Sequence, residues 1–319
     1  MNKHHPIKEF KASNKMALLF LLSPLLFFVS GLYLSLMNSL GLLFILGQIS
    51  LSVFFFQCFI LLHETGHFSY FRSRFLNRIS GNIFALLSFI PFTSWVAIHN
   101  LHHKWTGYRD KDPTTEGTVS PKFSAPLKFL VNFSWFFFVP LFTVGYRIGN
   151  YWNFKKLQRH LPAQKLPKIY FNIMLQILFY VFVFYFSGKW IVYHLLPAYV
   201  LSLMISDLFI LSQHSHIEIP LSNGNNVKPI RFSEQVKYTR SVSLFRNLGR
   251  YIYFNFNLHE LHHAYPILPA YYLDKVHLKM PNTVRFFTYL KDAKMMKGID
   301  FIFNTSKKQI GKNGDINKY

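Results

Sequence analysis

The sequence predicts an all-α integral membrane protein: four transmembrane helices in two hairpins, re-entrant or interfacial helices between them, and a cytoplasmic helical cap carrying histidine boxes. Three observations lead there. The chain of 319 residues is 51% hydrophobic and 19% aromatic but only 15% charged, a membrane rather than a globular composition. Its apolar residues come in long uncharged runs, and its basic residues gather in the stretches between those runs. Eight of its 15 histidines fall into three tight groups with helical spacing.

Residues 1–15 form a basic tail with Lys3, Lys8, Lys11 and Lys15, and positive residues favour the cytoplasmic side. His4 and His5 belong to that tail and are expected to be solvated. Residues 16–37 and 40–62 are each about the length a helix needs to cross the hydrocarbon core. The first run is too long for a signal peptide and no small-x-small cleavage site follows it, so it reads as a retained anchor. The two are expected to form a hairpin around Asn38 and Ser39, returning His63 to the cytoplasmic side. Cys58, the one cysteine, excludes an intramolecular disulfide and reads as a buried packing residue.

The apolar run 79–98 is interrupted by Gly81, Asn82, Pro91, Thr93 and Ser94 and leads into a histidine group. A full crossing would strand that group on the far side, so the run is placed as re-entrant or interfacial, which is tolerated where protein covers the backbone. Residues 125–144 are treated alike, because Arg109, Lys111 and Lys122 precede them and Arg147, Lys155, Lys156, Arg159, Lys165 and Lys168 follow. Residues 169–186 and 190–210, separated by Ser187, Gly188 and Lys189, form the second predicted hairpin. Residues 63–168 and 212–304 make the cap, 16–304 a single domain, and 305–319, rich in Lys, Asn and Gly, a disordered tail.

The boxes are His63-Glu64-Thr65-Gly66-His67, His99-Asn100-Leu101-His102-His103 and His259-Glu260-Leu261-His262-His263. Residues three and four apart share one face of an α-helix, so each box presents two or three imidazoles together. One box alone indicates only a metal such as zinc, copper, iron or nickel. Eight histidines on one side of one domain are twice what a mononuclear zinc site uses, and acids are too few for a carboxylate-bridged bundle site. A histidine-dominated di-iron centre is preferred. His63 to His67 also reads as H-E-x-x-H, the zinc-protease signature with Glu64 as base, but that reading leaves two boxes unexplained. Glu64 and Glu260 are expected instead to orient ligands by accepting imidazole N–H bonds. His160 and His194, standing alone, are expected to be hydrogen-bonded interfacial residues.

The order H-x-x-x-H, H-x-x-H-H and, after a membrane hairpin, H-x-x-H-H resembles the membrane fatty acid desaturases and their relatives. The resemblance runs through Phe68, Arg72, Leu76, Asn77, Gly81, Asn100, Thr106, Asp112 and Pro113 around the first two boxes, and Asn255, Glu260, Pro266, Pro269, Leu273 and His277 around the third. It implies a ninth metal ligand beyond the fourth crossing, His214 in Gln213-His214-Ser215-His216, with His216 the substitute. Asn255 and His277 become supporting residues. It further implies two iron ions that use O2 to remove hydrogen from an unactivated CH2 of an acyl chain carried on lipid, CoA or acyl carrier protein. The product is a double bond; oxygen insertion would instead give a carotenoid ketolase or hydroxylase, or a lipid or alkane hydroxylase. Phe68, Tyr70, Trp95 and Tyr253 are candidates to line a substrate tunnel, with belt and core packing the default role.

The chain has no G-x-G-x-x-G fingerprint, no C-x-x-C-H and one cysteine, so electrons are expected from a separate donor, a ferredoxin or a cytochrome b5-like protein. Net charge of +22, from 35 Lys and Arg against 13 Asp and Glu, marks membrane orientation and would draw an acidic donor. No basic stripe with stacking aromatics lies outside the membrane runs, which argues against nucleic acid. Compact size and short loops suggest a bacterial inner membrane, although an endoplasmic reticulum membrane would impose the same pattern, and the site is expected on the cytoplasmic side.

Overall fold

A computed structural model describes residues 9–37, 40–119, 122–303 and 310. Lys3, His4, His5 and Lys8, the turn at Asn38 and Ser39, and the tail 305–319 apart from Ile310 lie outside them. Among the described residues four helices are long and apolar enough to cross a membrane, and the spans number up to six if each of two bent helix pairs counts as one. Helix α1 is Asn14–Met37 and α2 is Leu42–Gly66. A Cβ added to Gly47 would stand 2.6 Å from Ser35 N and 2.7 Å from Gly31 O, so the two backbones approach as only small residues allow. Gln48 Nε2 donates to Ser35 Oγ at 2.9 Å and Ser30 and Ser50 hydroxyls meet at 3.0 Å, supplying the polar contacts that hold such pairs together.

The second hairpin consists of α8, Leu166–His194, and α9, Leu196–His214. Its break lies at Leu195, and the expected turn at Ser187, Gly188 and Lys189 is helical instead. A glycine inside a helix costs only about 1 kcal/mol, whereas Pro197 removes a backbone donor and restricts the residue before it. Gln48 of α2 spans the break, donating to His194 O at 3.0 Å and accepting from Ala198 N at 2.9 Å. It thereby satisfies one exposed group on each side of the interruption.

Between the hairpins lie two pairs of helices, each bent sharply at a short break. Helix α3, Arg74–Leu87, turns by 101° into α4, Phe92–Trp105; α5, Ala125–Phe136, turns by 113° into α6, Leu141–Arg147, which continues as a π-helical turn to Trp152. Pro91 and Pro140 cap the second members, and Phe89 and Phe138 hold positive φ at the breaks. Side chains take up three carbonyls at and just after the end of α3. Arg147 Nη1 donates to Ser88 O at 2.7 Å, Trp152 Nε1 to Phe89 O at 3.0 Å and Tyr180 OH to Leu86 O at 2.8 Å. Irregular backbone at this depth requires that kind of cover.

Helix α7, Phe154–His160, precedes the second hairpin. After α9 come a two-residue parallel pair, β1 Val242–Ser243 with β2 Val284–Arg285, and the short helices α10 His259–Ala264, α11 Phe286–Lys294 and α12 Gly298–Ile302. One apolar cluster runs from Ala17 and Phe20 through α2, α4 and α9 to Phe301 and Ile310. The histidine boxes sit at the ends of α2 and α4 and on α10, with His214 closing α9.

Candidate metal centre

The three boxes and His214 converge on one place. His63, His67, His99, His103 and His262 form one group and His102, His214, His259 and His263 a second, with ligand nitrogens within 4.8 Å of one another in each. Each group draws on more than one box. His99 and His103, four apart on α4, join the first while His102 turns to the second; on α10, His259 and His263 join the second while His262 reaches the first. Among the described residues His216 belongs to neither group.

Nε2 atoms face one another at 3.0 Å for His67 with His99 and His99 with His103, and at 3.1 Å for His103 with His262. In the second group His214 and His259 stand 2.9 Å apart and His259 and His263 3.0 Å. Metal–imidazole bonds of about 2.0–2.1 Å put adjacent ligand nitrogens about 3 Å apart. The buried Nε2 of His63 has no hydrogen-bond partner among the described residues. The donor set therefore fits two ions bound through Nε2, five imidazoles to one and four to the other.

Four of the opposite ring nitrogens are held by protein groups, whereas the buried Nδ1 atoms of His103 and His259 have no hydrogen-bond partner among the described residues. His63 Nδ1 donates to Glu64 Oε1 at 2.9 Å, His102 Nδ1 to Asp112 Oδ2 at 2.7 Å, His263 Nδ1 to Gln235 Oε1 at 2.9 Å and His214 Nδ1 to the Tyr238 carbonyl at 3.3 Å. Such bonds fix tautomer and ring orientation and leave Nε2 free to ligate. Thr114 donates its hydroxyl to Asp112 Oδ1 at 2.9 Å. Gln235 Nε2 also donates to His103 O at 2.7 Å, tying α4 to α10. Trp95 stacks on His99 with centroids 4.2 Å apart, and Phe256 stands edge-on to His63 at 5.4 Å.

Burial lowers the His67 imidazole to about 3, with the neighbouring His63 adding to the effect. It likewise depresses His259, His262 and His263 well below their ordinary value. These rings are neutral at physiological pH, the form that ligates. Burial pushes the Asp112 carboxyl up, but His102 and the surrounding hydrogen bonds outweigh it and hold the group below its usual range. Asp112 is thus an ionised acceptor beside His102.

Glu64 behaves as expected toward His63, and its second oxygen accepts from Ala270 N at 3.0 Å. The other three expected supports act differently. Among the described residues the Glu260 carboxylate accepts from Ser241 N, Asn282 N and Thr283 Oγ1 rather than from an imidazole, because its position on α10 points it at the β1–β2 junction. Asn255 donates to Ala270 O at 2.8 Å and so braces the segment that bonds Glu64, one step removed from the rings. His277 is exposed and falls outside the buried cluster. His160 and His194 find partners in Glu116 at 3.1 Å and Ser35 at 3.4 Å, as expected of isolated interfacial histidines. Gln235 was not expected; it lies in a three-ten turn, Phe232–Tyr238, without any local signal. Asp112 had one, since it falls in the stretch after the second box.

Fold and cluster together define an integral membrane protein with a buried polyhistidine centre. The family model described as fatty acid desaturase matches residues 38–290, and the chain belongs to that family. Over 54 residues it is 41% identical to an sn-1 oleoyl-lipid 12-desaturase of Anabaena variabilis, covering 17% of this chain and 15% of the relative. Over 72 residues it is 40% identical to a Delta(12) fatty acid desaturase of Mortierella isabellina, covering 21% and 18%. A Picosynechococcus sn-1 oleoyl-lipid 12-desaturase is 37% identical over 54 residues, 17% and 16%. The matches thus span less than a fifth of these relatives' own length.

Proposed function

We propose that the protein is a membrane-bound, O2-dependent di-iron desaturase that introduces a C=C bond into a fatty acyl chain, with its site on the cytoplasmic side. The observation that carries this is the division of nine imidazoles into two adjacent groups with Nε2 inward, in a chain of the desaturase family. His63, His67, His99, His103 and His262 would hold one iron and His102, His214, His259 and His263 the other. The iron pair, when bound, supplies the O2-dependent removal of hydrogen from an unactivated CH2–CH2 unit. Two hydrogens leave the acyl chain, two electrons and two protons come from outside, and O2 leaves as two waters.

The chain's own residues orient and shelter. Asp112, Glu64, Gln235 and the Tyr238 carbonyl keep four ring N–H groups occupied on the side away from the metal positions, so those rings cannot rotate. Trp95 and Phe256 wall the first group with apolar surface, which keeps water from a reactive centre. Electrons come from a separate donor, ferredoxin or cytochrome b5-like, attracted to the basic face of a chain with net charge +22. The similar desaturases of Anabaena and Picosynechococcus are named for oleoyl-lipid, which favours an acyl-lipid over an acyl-CoA or acyl carrier protein substrate here.

The zinc-protease reading of H-E-x-x-H is disfavoured by Glu64 itself. One carboxylate oxygen bonds His63 Nδ1 and the other Ala270 N, so neither faces the Nε2 side where a metal-bound water would need a base. Hydroxylation or ketolation shares the first hydrogen removal and the same ligands, and products separate the two. Expression in a host with simple lipids, followed by mass spectrometry of fatty acids and pigments, is expected to reveal new double bonds. Hydroxylated or keto products without new double bonds would overturn the assignment.

A further inference from the structure

Residues 244–256 lie in the polar C-terminal half, yet their contacts are with membrane helices. Tyr251 and Phe254 pack on Phe20 of α1 with centroids 5.9 and 5.7 Å apart. Tyr253 packs on Phe209 of α9 at 4.5 Å and on Phe56 of α2 at 5.8 Å. The Ile252 carbonyl accepts from Gln57 Nε2 at 3.0 Å, and that same amide reaches Ser23 of α1 at 2.8 Å. Phe20, Ser23, Phe56, Gln57 and Phe209 all fall inside runs expected to cross the bilayer. At 1.5 Å per helical residue, Phe20, Ser23 and Gln57 sit about 6–10 Å in from the histidine-side ends of those runs.

The outer surface of the same segment is apolar. Phe245 is 80% exposed, Tyr251 48% and Leu248 38%; Leu248 and Tyr251 lie in a π-helical turn, Leu248–Ile252, and Phe245 shortly precedes it. Leu18, Leu19 and Leu22 of α1, the helix that Tyr251 packs against, are also exposed. Arg250 and Arg246 reach Asp274 at 2.6 and 3.7 Å, and the Arg250 guanidinium also lies over the Tyr251 and Phe20 rings at 5.6 and 5.9 Å, so the arginines tie this aromatic segment to the cap. A basic, aromatic element inserted about 5–10 Å into the headgroup and acyl boundary has this layout.

We propose that residues 244–256 form a third re-entrant element, a wedge between α1 and α9 whose Phe245–Leu248–Tyr251 face is embedded in the lipid leaflet on the histidine side. The occupant of this face is bilayer lipid and not a soluble protein. The wedge ends at Phe256, whose ring meets both His63 and His259, so leaflet lipid and the third box are joined by one short segment. The proposal rests on the crossings of α1, α2 and α9 and is independent of the catalytic reading.

Site-directed spin labelling of the full chain in lipid nanodiscs tests it. Phe245→Cys is made in a Cys58→Ala background, with Leu22→Cys as the lipid-facing reference and Asn226→Cys as the aqueous one. Relaxation by O2, which partitions into hydrocarbon, is compared with relaxation by water-soluble chromium oxalate. The oxygen-to-chromium ratio at position 245 is expected to be severalfold above that at 226 and close to that at 22. A ratio at 245 equal to that at 226 would show an aqueous or protein-docking surface and overturn the proposal. Leu248→Cys gives the same reading should Phe245→Cys fail to fold.

Discussion

Asp112 accepts from His102 Nδ1 and from Thr114, and its charge survives burial because those partners favour it. Asp112→Asn keeps an acceptor but loses the charge, so metal affinity is expected to fall about 10–100-fold, read by titrating bound metal with a chelator; unchanged retention would separate Asp112 from the centre. His262→Ala removes the α10 ring that reaches the first group. It is expected to abolish product formation while membrane insertion persists, and retained turnover would exclude His262 as a ligand. The histidines were legible in the sequence because spacings of three and four are a local property of a helix. Their division was not: the split of His102 from His99 and His103 follows from how α4 faces α10, a tertiary relation. Gln235, which bonds both of those helices, was invisible for the same reason.

At the level of elements, charge and proline carried most of the legible information. Basic flanks, with Pro91 in the first run, led to the expectation that two apolar runs would not cross as simple helices, and both are bent, by 101° and 113°. The second hairpin was misplaced by several residues because glycine and serine were weighted over Pro197, although a helix tolerates the former far better. The wedge at residues 244–256 escaped notice because it is short and mixes arginine with its aromatics, which dilutes any hydropathy signal. Close packing of α1 on α2 yields a sharper prediction. Gly47→Ala would set a methyl 2.6 Å from a backbone nitrogen of Ser35, which cannot move aside as a side-chain end could. Overpacking of this kind costs about 1–3 kcal/mol, so the variant should melt at lower temperature in detergent; an unchanged melting temperature would mean the helices pack less tightly.

For the whole molecule, gathering so many imidazoles in a buried place makes stability depend on pH. Burial holds His67 at about 3 and His259, His262 and His263 well below normal, while an unfolded chain titrates near 6.5. Between those values the unfolded state binds protons that the folded site refuses, so stability is full above about pH 6.5 and falls as pH drops toward 3. Metal binding, which needs neutral rings, falls over the same direction of pH. The metal-free protein should therefore unfold at lower temperature at pH 5.5 than at pH 7.5, and a higher midpoint at the acidic pH would contradict the neutral-cluster account. The net charge of +22 adds to this trend, since protonated rings join a molecule already strongly positive. The most direct test of the nine-histidine centre is elemental analysis of the purified protein, with metal expressed per polypeptide chain. Two irons per chain are predicted, whereas one zinc, or no stoichiometric metal after iron-replete expression, would contradict it.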